Sequence, residues 1–136
     1  MSLKIEDIYF LLDKVKFNYK SKRANKKSEH NIVDEVKFGY VDGNDVWFEL
    51  TRKSFFKPAA VHDIMVNVAV CITFTEKIPE DFSFDDWFNG LSEDYIDGAL
   101  YDVFAHISML MSKLTAFGHK TPLITAPTNY LAKFKD

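Results

Sequence analysis

The clearest period in the chain is one of two residues. Ile64, Val66, Val68, Val70, Ile72 and Phe74 alternate with Met65, Asn67, Ala69, Cys71, Thr73 and Thr75, so one face is bulky and the other small or polar. This predicts a central strand whose bulky face receives a covering element. Three earlier stretches also read as strands. Tyr9, Leu11, Val15, Phe17 and Tyr19 hold odd positions against Lys14, Lys16, Asn18 and Lys20. Val36, Phe38 and Tyr40 lead into Asp42, Gly43, Asn44 and Asp45, residues suited to the positive φ of a hairpin turn. Val46, Phe48 and Leu50 follow on one face, with Trp47, Glu49 and Thr51 on the other. Pairing is expected to stop at Pro58, which donates no ladder hydrogen bond.

After Pro79 the period lengthens. Ser83 with Asp86 three residues on marks the start of a short helix through Trp87, Phe88 and Leu91, and Ser92 with Glu93 and Asp94 repeats the signal. Across residues 95–117, Ile96, Leu100, Val103, Ile107, Leu110, Leu114 and Phe117 recur at steps of three and four, the spacing of one helix face. Tyr101, Phe104 and Met111 lie off that stripe. So much apolar surface exceeds what one sheet contact requires, which implies a second contact with another subunit or a bound polypeptide. Four strands followed by helices, without βαβ alternation, indicate an α+β domain over residues 1–136. Its expected form is a four-stranded antiparallel sheet with a short and a long C-terminal helix on one face. Apolar sheet edges favour pairing with a second subunit.

Composition narrows the classes. With 136 residues, 47% hydrophobic and 15% aromatic, the chain suits one core, and its apolar runs are too short to span a bilayer. The first ten residues lack the apolar centre of a signal peptide, so a cytoplasmic location is expected. Cys71 stands alone and can form neither an internal disulfide nor a cysteine-based metal site. His30, His62, His106 and His119 lack metal-ligand spacing, and the acidic residues Glu80, Asp81, Asp85, Asp86, Glu93, Asp94 and Asp97 lack the calcium-loop pattern. Neither metal nor cofactor is expected. No phosphate loop or nucleophile elbow is present, so the chain does not read as an enzyme.

One signature remains. The element order, the aromatic-glycine pair Phe117-Gly118 and the following Pro122, Leu123, Ile124, Thr125, Ala126, Pro127, Thr128, Asn129 and Tyr130 resemble the SecB family of protein-export chaperones. Its specific motif occupies residues 105–134. The resemblance implies a homotetramer, a dimer of dimers joined through first strands, with helices sandwiched between two sheets. It also implies an ATP-independent holdase that binds non-native polypeptides in apolar grooves. On that footing the groove candidates are Trp47, Phe55, Phe56, Tyr101, Phe104 and Met111, flanked by a basic loop carrying Lys20, Lys22, Arg23, Lys26 and Lys27. The family presents carboxylates to the SecA motor, whereas residues 14–18 here are basic, which argues against that partner and towards a toxin-antitoxin or phage-associated relative. Two rival readings stand beside it. One is a carrier of small apolar ligands, which requires a closed cavity. The other is a single-stranded nucleic-acid binder using the basic run over residues 14–27 with Phe17 and Tyr19 interleaved, against which stands a net charge of −3.

Overall fold

The computed structural model describes residues 3–20, 23, 26–118 and 123–131. Lys22, His119, Pro122 and the side chain of Phe117, all singled out above, lie outside that set, as does the end of the motif at residues 132–134. Four antiparallel strands, β1 (Ile5–Tyr19), β2 (Glu29–Asp42), β3 (Asp45–Lys57) and β4 (His62–Phe74), form one sheet in the order β1-β4-β3-β2. Helices α1 (Phe84–Asn89), α2 (Glu93–Ala99) and α3 (Tyr101–Gly118) follow, giving the expected α+β class.

β4 lies inside the sheet, and its bulky alternation points at the helices: Ile64, Val66, Val68, Val70, Ile72 and Phe74 are all buried. Val46, Phe48 and Leu50 of β3 share that inner face. The β2–β3 turn uses Gly43 at φ 64°, a conformation glycine adopts without steric cost. Over one end of the sheet, α1 seats Phe84 and Phe88 on Phe48, with ring centroids 5.2 and 6.3 Å away. Ser83 and Ser92 cap α1 and α2, accepting from the Asp86 and Tyr95 amides at 3.3 and 3.1 Å.

Three details depart from the alternation. The edge strand β1 shifts register between Leu12 and Lys14, so Phe10 and Leu12 face the helices before the bulge and Val15 and Phe17 after it. Tyr9 and Leu11 therefore point to the outer face and do not join Val15 and Phe17. β2 bulges between Phe38 and Tyr40, turning Tyr40 outward beside Trp47. Gly39 sits at that bulge, where a Cβ would lie 2.9 Å from the Trp47 carbonyl oxygen. The long helix is in fact two, α2 and α3, separated at Leu100 (φ −104°, ψ 18°).

Candidate functional site

The break at Leu100 changes which side of α3 meets the core. Val103, Ile107, Met111 and Thr115 are buried at steps of four, with Phe104 buried beside them, while Leu110 and Leu114 are only half-buried. α3 thus lies over β4 and β1, reaching β3 through Arg52, and turns its Leu110 side towards β1. Between them runs an open trough of about 220 Å³ walled by Phe10, Leu12, Val66, Val68, Met109 and Leu110, with His106 and Lys113 on the helix side. Its rim is wet: Leu12 is 56% exposed and Met109 50%. The His106 Nδ1–H donates to the Asp102 carbonyl at 2.7 Å and its ring meets Phe10 edge-on at 5.1 Å, fixing one wall. Among the described residues no strand pairs on the far side of β1, so its main-chain groups line that flank.

A buried ion pair holds the other side of α3. Arg52 continues the inward set of β3, and its side chain and that of Asp34 on β2 are both 0% exposed. Nε and Nη2 donate to the two Asp34 carboxylate oxygens at 2.8 and 2.9 Å, a bidentate fork. Nη1 donates to Ser108 Oγ, Thr125 Oγ1 and the Ala126 carbonyl, and Nη2 to the Thr128 carbonyl at 2.7 Å. The guanidinium lies between the Phe104 and Tyr130 rings, 5.3 and 4.7 Å from their centroids. Asp34 Oδ2 also accepts from the Tyr130 amide, and Asp97 Oδ1 takes the Asn129 amide and side-chain N–H at 2.8 and 2.6 Å. The Leu123 amide donates to Thr115 Oγ1 at 2.7 Å. Among the described residues, the buried polar side chains of this hub, Asp34, Arg52, Thr115, Thr125 and Asn129, all have hydrogen-bond partners. The signature over residues 123–130 is thereby a latch that fixes α3 and covers the β2 edge, where Asp34 bridges Leu131.

The outer face of the sheet carries a separate pattern. Tyr9, Trp47 and Tyr40 form a row across three strands, with Trp47 edge-on to Tyr9 at 6.5 Å and stacked on Tyr40 at 6.2 Å. Tyr9 and Tyr40 are more than half exposed. Beyond that row the register places Asp7, Asp45 and Asp42 at the sheet end. Cys71 lies beneath the row, buried; desolvation first and the neighbouring carboxylates second push its thiol pKa up, so it is a poor nucleophile.

The residues nominated from sequence do not converge. Phe104 and Met111 are 0% exposed and belong to the core, so in this protomer they offer nothing to a groove. Trp47 and Phe55 sit on the outer face at opposite ends of β3, and Phe56 stacks on His30 at 4.7 Å at the far end of the inner face. Tyr101 is exposed at the start of α3, away from the trough. Of the basic loop, Lys20 pairs with Asp63 at 3.4 Å, and Arg23, Lys26 and Lys27 are exposed. Phe17 and Tyr19 face the side of β1 opposite Lys14 and Lys16, so residues that interleave in sequence do not share a surface. The trough residues Leu12, Met109 and Leu110 went unnominated. Leu11-Leu12, two adjacent large apolar residues in an alternating strand, was the available signal.

No family model matches the chain, and no curated protein matches it by sequence. Among solved structures, its fold is similar to that of the Mycobacterium tuberculosis Rv1957 SecB-like chaperone in complex with a ChAD peptide from the Rv1956 HigA1 antitoxin. The TM-score is 0.58 at 14% identity, with 93% of this chain and 88% of that chain covered. This supports the four-stranded sheet and its C-terminal helices as a SecB-like fold.

Proposed function

We propose that the chain is a subunit of an ATP-independent holdase that covers apolar segments of non-native polypeptides in the trough between β1 and α3. One observation carries the reading: large apolar side chains, Leu12 and Met109, stand in water at the rim of a trough whose floor is the protein's own core. A folded monomer gains nothing from that exposure. An unfolded segment does, because burying one large aliphatic side chain contributes about 1.5–3 kcal/mol. The attraction has no direction, so it accepts many sequences. The unpaired edge of β1 adds main-chain hydrogen bonds to a client strand or a sister subunit. The SecB-like fold supports the same class, and the structural neighbour is itself seen with a peptide.

On this reading the protein is non-enzymatic, acts in the cytoplasm, and assembles as a homotetramer of paired dimers, with β1 edges adjoining and the troughs near the subunit boundary. A toxin-antitoxin client fits better than SecA, because Lys14 and Lys16 make their end of the outer face basic, and the carboxylates of Asp7, Asp42 and Asp45 gather at the far end. The carrier reading needs an enclosed cavity, and the exposed rim of the trough is unlike one. Two measurements test the proposal together: native mass by light scattering, and turbidity of a chemically denatured protein diluted with and without the chain in the absence of nucleotide. An oligomer that suppresses turbidity is expected. A stable monomer that leaves the turbidity curve unchanged refutes it.

A further inference from the structure

The two ends of the sheet's outer face carry opposite charge. At one end the register brings together Asp7, Asp42 and Asp45. At the other, Lys16 and Lys53 stand on either side of β4, with Lys14 one step along β1 and Lys20, Lys57 and the Lys26-Lys27 turn at the same end of the molecule. Between Lys16 and Lys53 lies an open pocket of about 340 Å³, lined as well by Asn18, Ser54, Phe55, Asp63, Ile64 and Met65. It is on the face opposite the trough. We infer that this pocket binds acidic-apolar polypeptide segments, with an aliphatic or aromatic side chain resting on Phe55 and Met65 and flanking carboxylates taken by Lys16 and Lys53.

The charges there are available. Asp63, the carboxylate lining the pocket, is paired with Lys20 at 3.4 Å, and Lys53 pairs with Glu35 at 3.2 Å. Both pairs are substantially exposed, with side-chain exposures of 38% and 44% for the first and 43% and 57% for the second, so exchanging partners costs little. Lys16 approaches from the other wall with no ion-pair partner among the described residues. An incoming carboxylate meets an excess of cations over an apolar floor, the arrangement by which acidic motifs are recognised. Single-stranded nucleic acid fits less well. Its phosphates need cations beside a stacking platform. The pocket offers one ring, Phe55, already faced by Lys57 Nζ at 5.6 Å, whereas the row of Tyr9, Trp47 and Tyr40, on which successive bases could stack, adjoins the aspartates and lies about 20 Å along the strands from Lys16.

The identity of the ligand as polypeptide rests on the holdase reading; the site itself does not use the trough. The test is fluorescence anisotropy with a labelled peptide of sequence Glu-Asp-Leu-Phe-Glu-Glu, its amide counterpart Gln-Asn-Leu-Phe-Gln-Gln, and an oligothymidine. The acidic peptide is expected to bind about tenfold more tightly than the amide form, and Lys16→Glu with Lys53→Glu to remove that preference. Both lysines are on the surface, and circular dichroism of the variant establishes that it folds. Phe55→Ser is expected to weaken both peptides while leaving the acidic preference in place. Equal affinity for the acidic and amide peptides, an unchanged preference in the doubly reversed variant, or oligothymidine binding more tightly than the acidic peptide would overturn the inference. If the wild-type chain binds the acidic peptide as expected yet fails to suppress aggregation, the holdase reading falls and the pocket stands; suppression without the acidic preference removes the pocket alone.

Discussion

Asp34→Asn probes the latch with the smallest change in shape. Arg52 stays 0% exposed and keeps hydroxyl and carbonyl acceptors from Ser108, Thr125, Ala126 and Thr128, but it loses the carboxylate at 2.8 and 2.9 Å. The Tyr130 amide, which donates to Oδ2 at 2.8 Å, then faces an N–H group if the new amide nitrogen takes that place. Removing one partner of a buried ion pair costs about 3–5 kcal/mol. Against the roughly 5–15 kcal/mol that holds a domain together, this is a large fraction. For a chain of this length it lowers Tm by about 10–20 °C. Guanidinium unfolding followed by Trp47 and Trp87 fluorescence measures it. The second half of the test is a cycle in which Asp34→Leu and Arg52→Met are made singly and together. Because the charged partner left behind causes most of each single loss, the double variant is expected to retain at least about 2 kcal/mol more stability than the sum of the singles predicts. A loss below about 1 kcal/mol for Asp34→Asn, or strict additivity in the cycle, would refute the latch.

Three further outcomes follow from local geometry. Gly39→Val drives a side chain into the Trp47 carbonyl and is expected to cost about 1–3 kcal/mol, read from the denaturant midpoint; a neutral result means that the β2 bulge is looser than described. Partial desolvation of His30, whose ring stacks on Phe56 while its edge stays exposed, lowers its pKa below the ordinary 6.5, so as pH drops below that value the unfolded chain binds more protons than the native one and stability declines. Urea midpoints at about pH 7.5 and about pH 5.5 should show that decline, and His30→Asn should reduce it; an identical slope in the variant assigns it elsewhere. The Cys71 thiol, buried and with its pKa raised, should react with a disulfide reagent far more slowly than free cysteine at the same pH, and rapid labelling of the native protein would contradict the burial.

Sequence pattern was most informative where a strand is inside the sheet. β4 has neighbours on both sides, its parity runs unbroken, and each bulky residue from Ile64 to Phe74 falls where alternation puts it. The edge strands behave differently, because an edge tolerates an extra residue that an interior strand does not. The residue inserted between Leu12 and Lys14 in β1, and one in β2, reversed the facing of Tyr9, Leu11 and Tyr40, which hid both the outer aromatic row and the trough rim. The helix stripe was legible in period but misphased, since the stop at Leu100 starts a new helix whose buried positions include Phe104 and Met111 in place of Leu110 and Leu114. Arg52 was invisible for another reason: hydropathy sends charges outward, although its place between Leu50 and Ser54 on the inward parity of β3 marks it as buried. The same residue accounts for the tail signature, whose Thr125 hydroxyl and Ala126 and Thr128 carbonyls gather around its guanidinium.

If the protein holds clients as proposed, they lie against the trough between β1 and α3. A photoactivatable benzophenone side chain at position 12 or 109, with a third variant carrying it at position 95, tests this directly in the presence of a permanently unfolded polypeptide. Tyr95 is also exposed but lies outside the trough lining, so it reports chance collisions. Strong adducts are expected from positions 12 and 109 and weak ones from 95. Equal labelling at all three positions, or none from the trough, would contradict it.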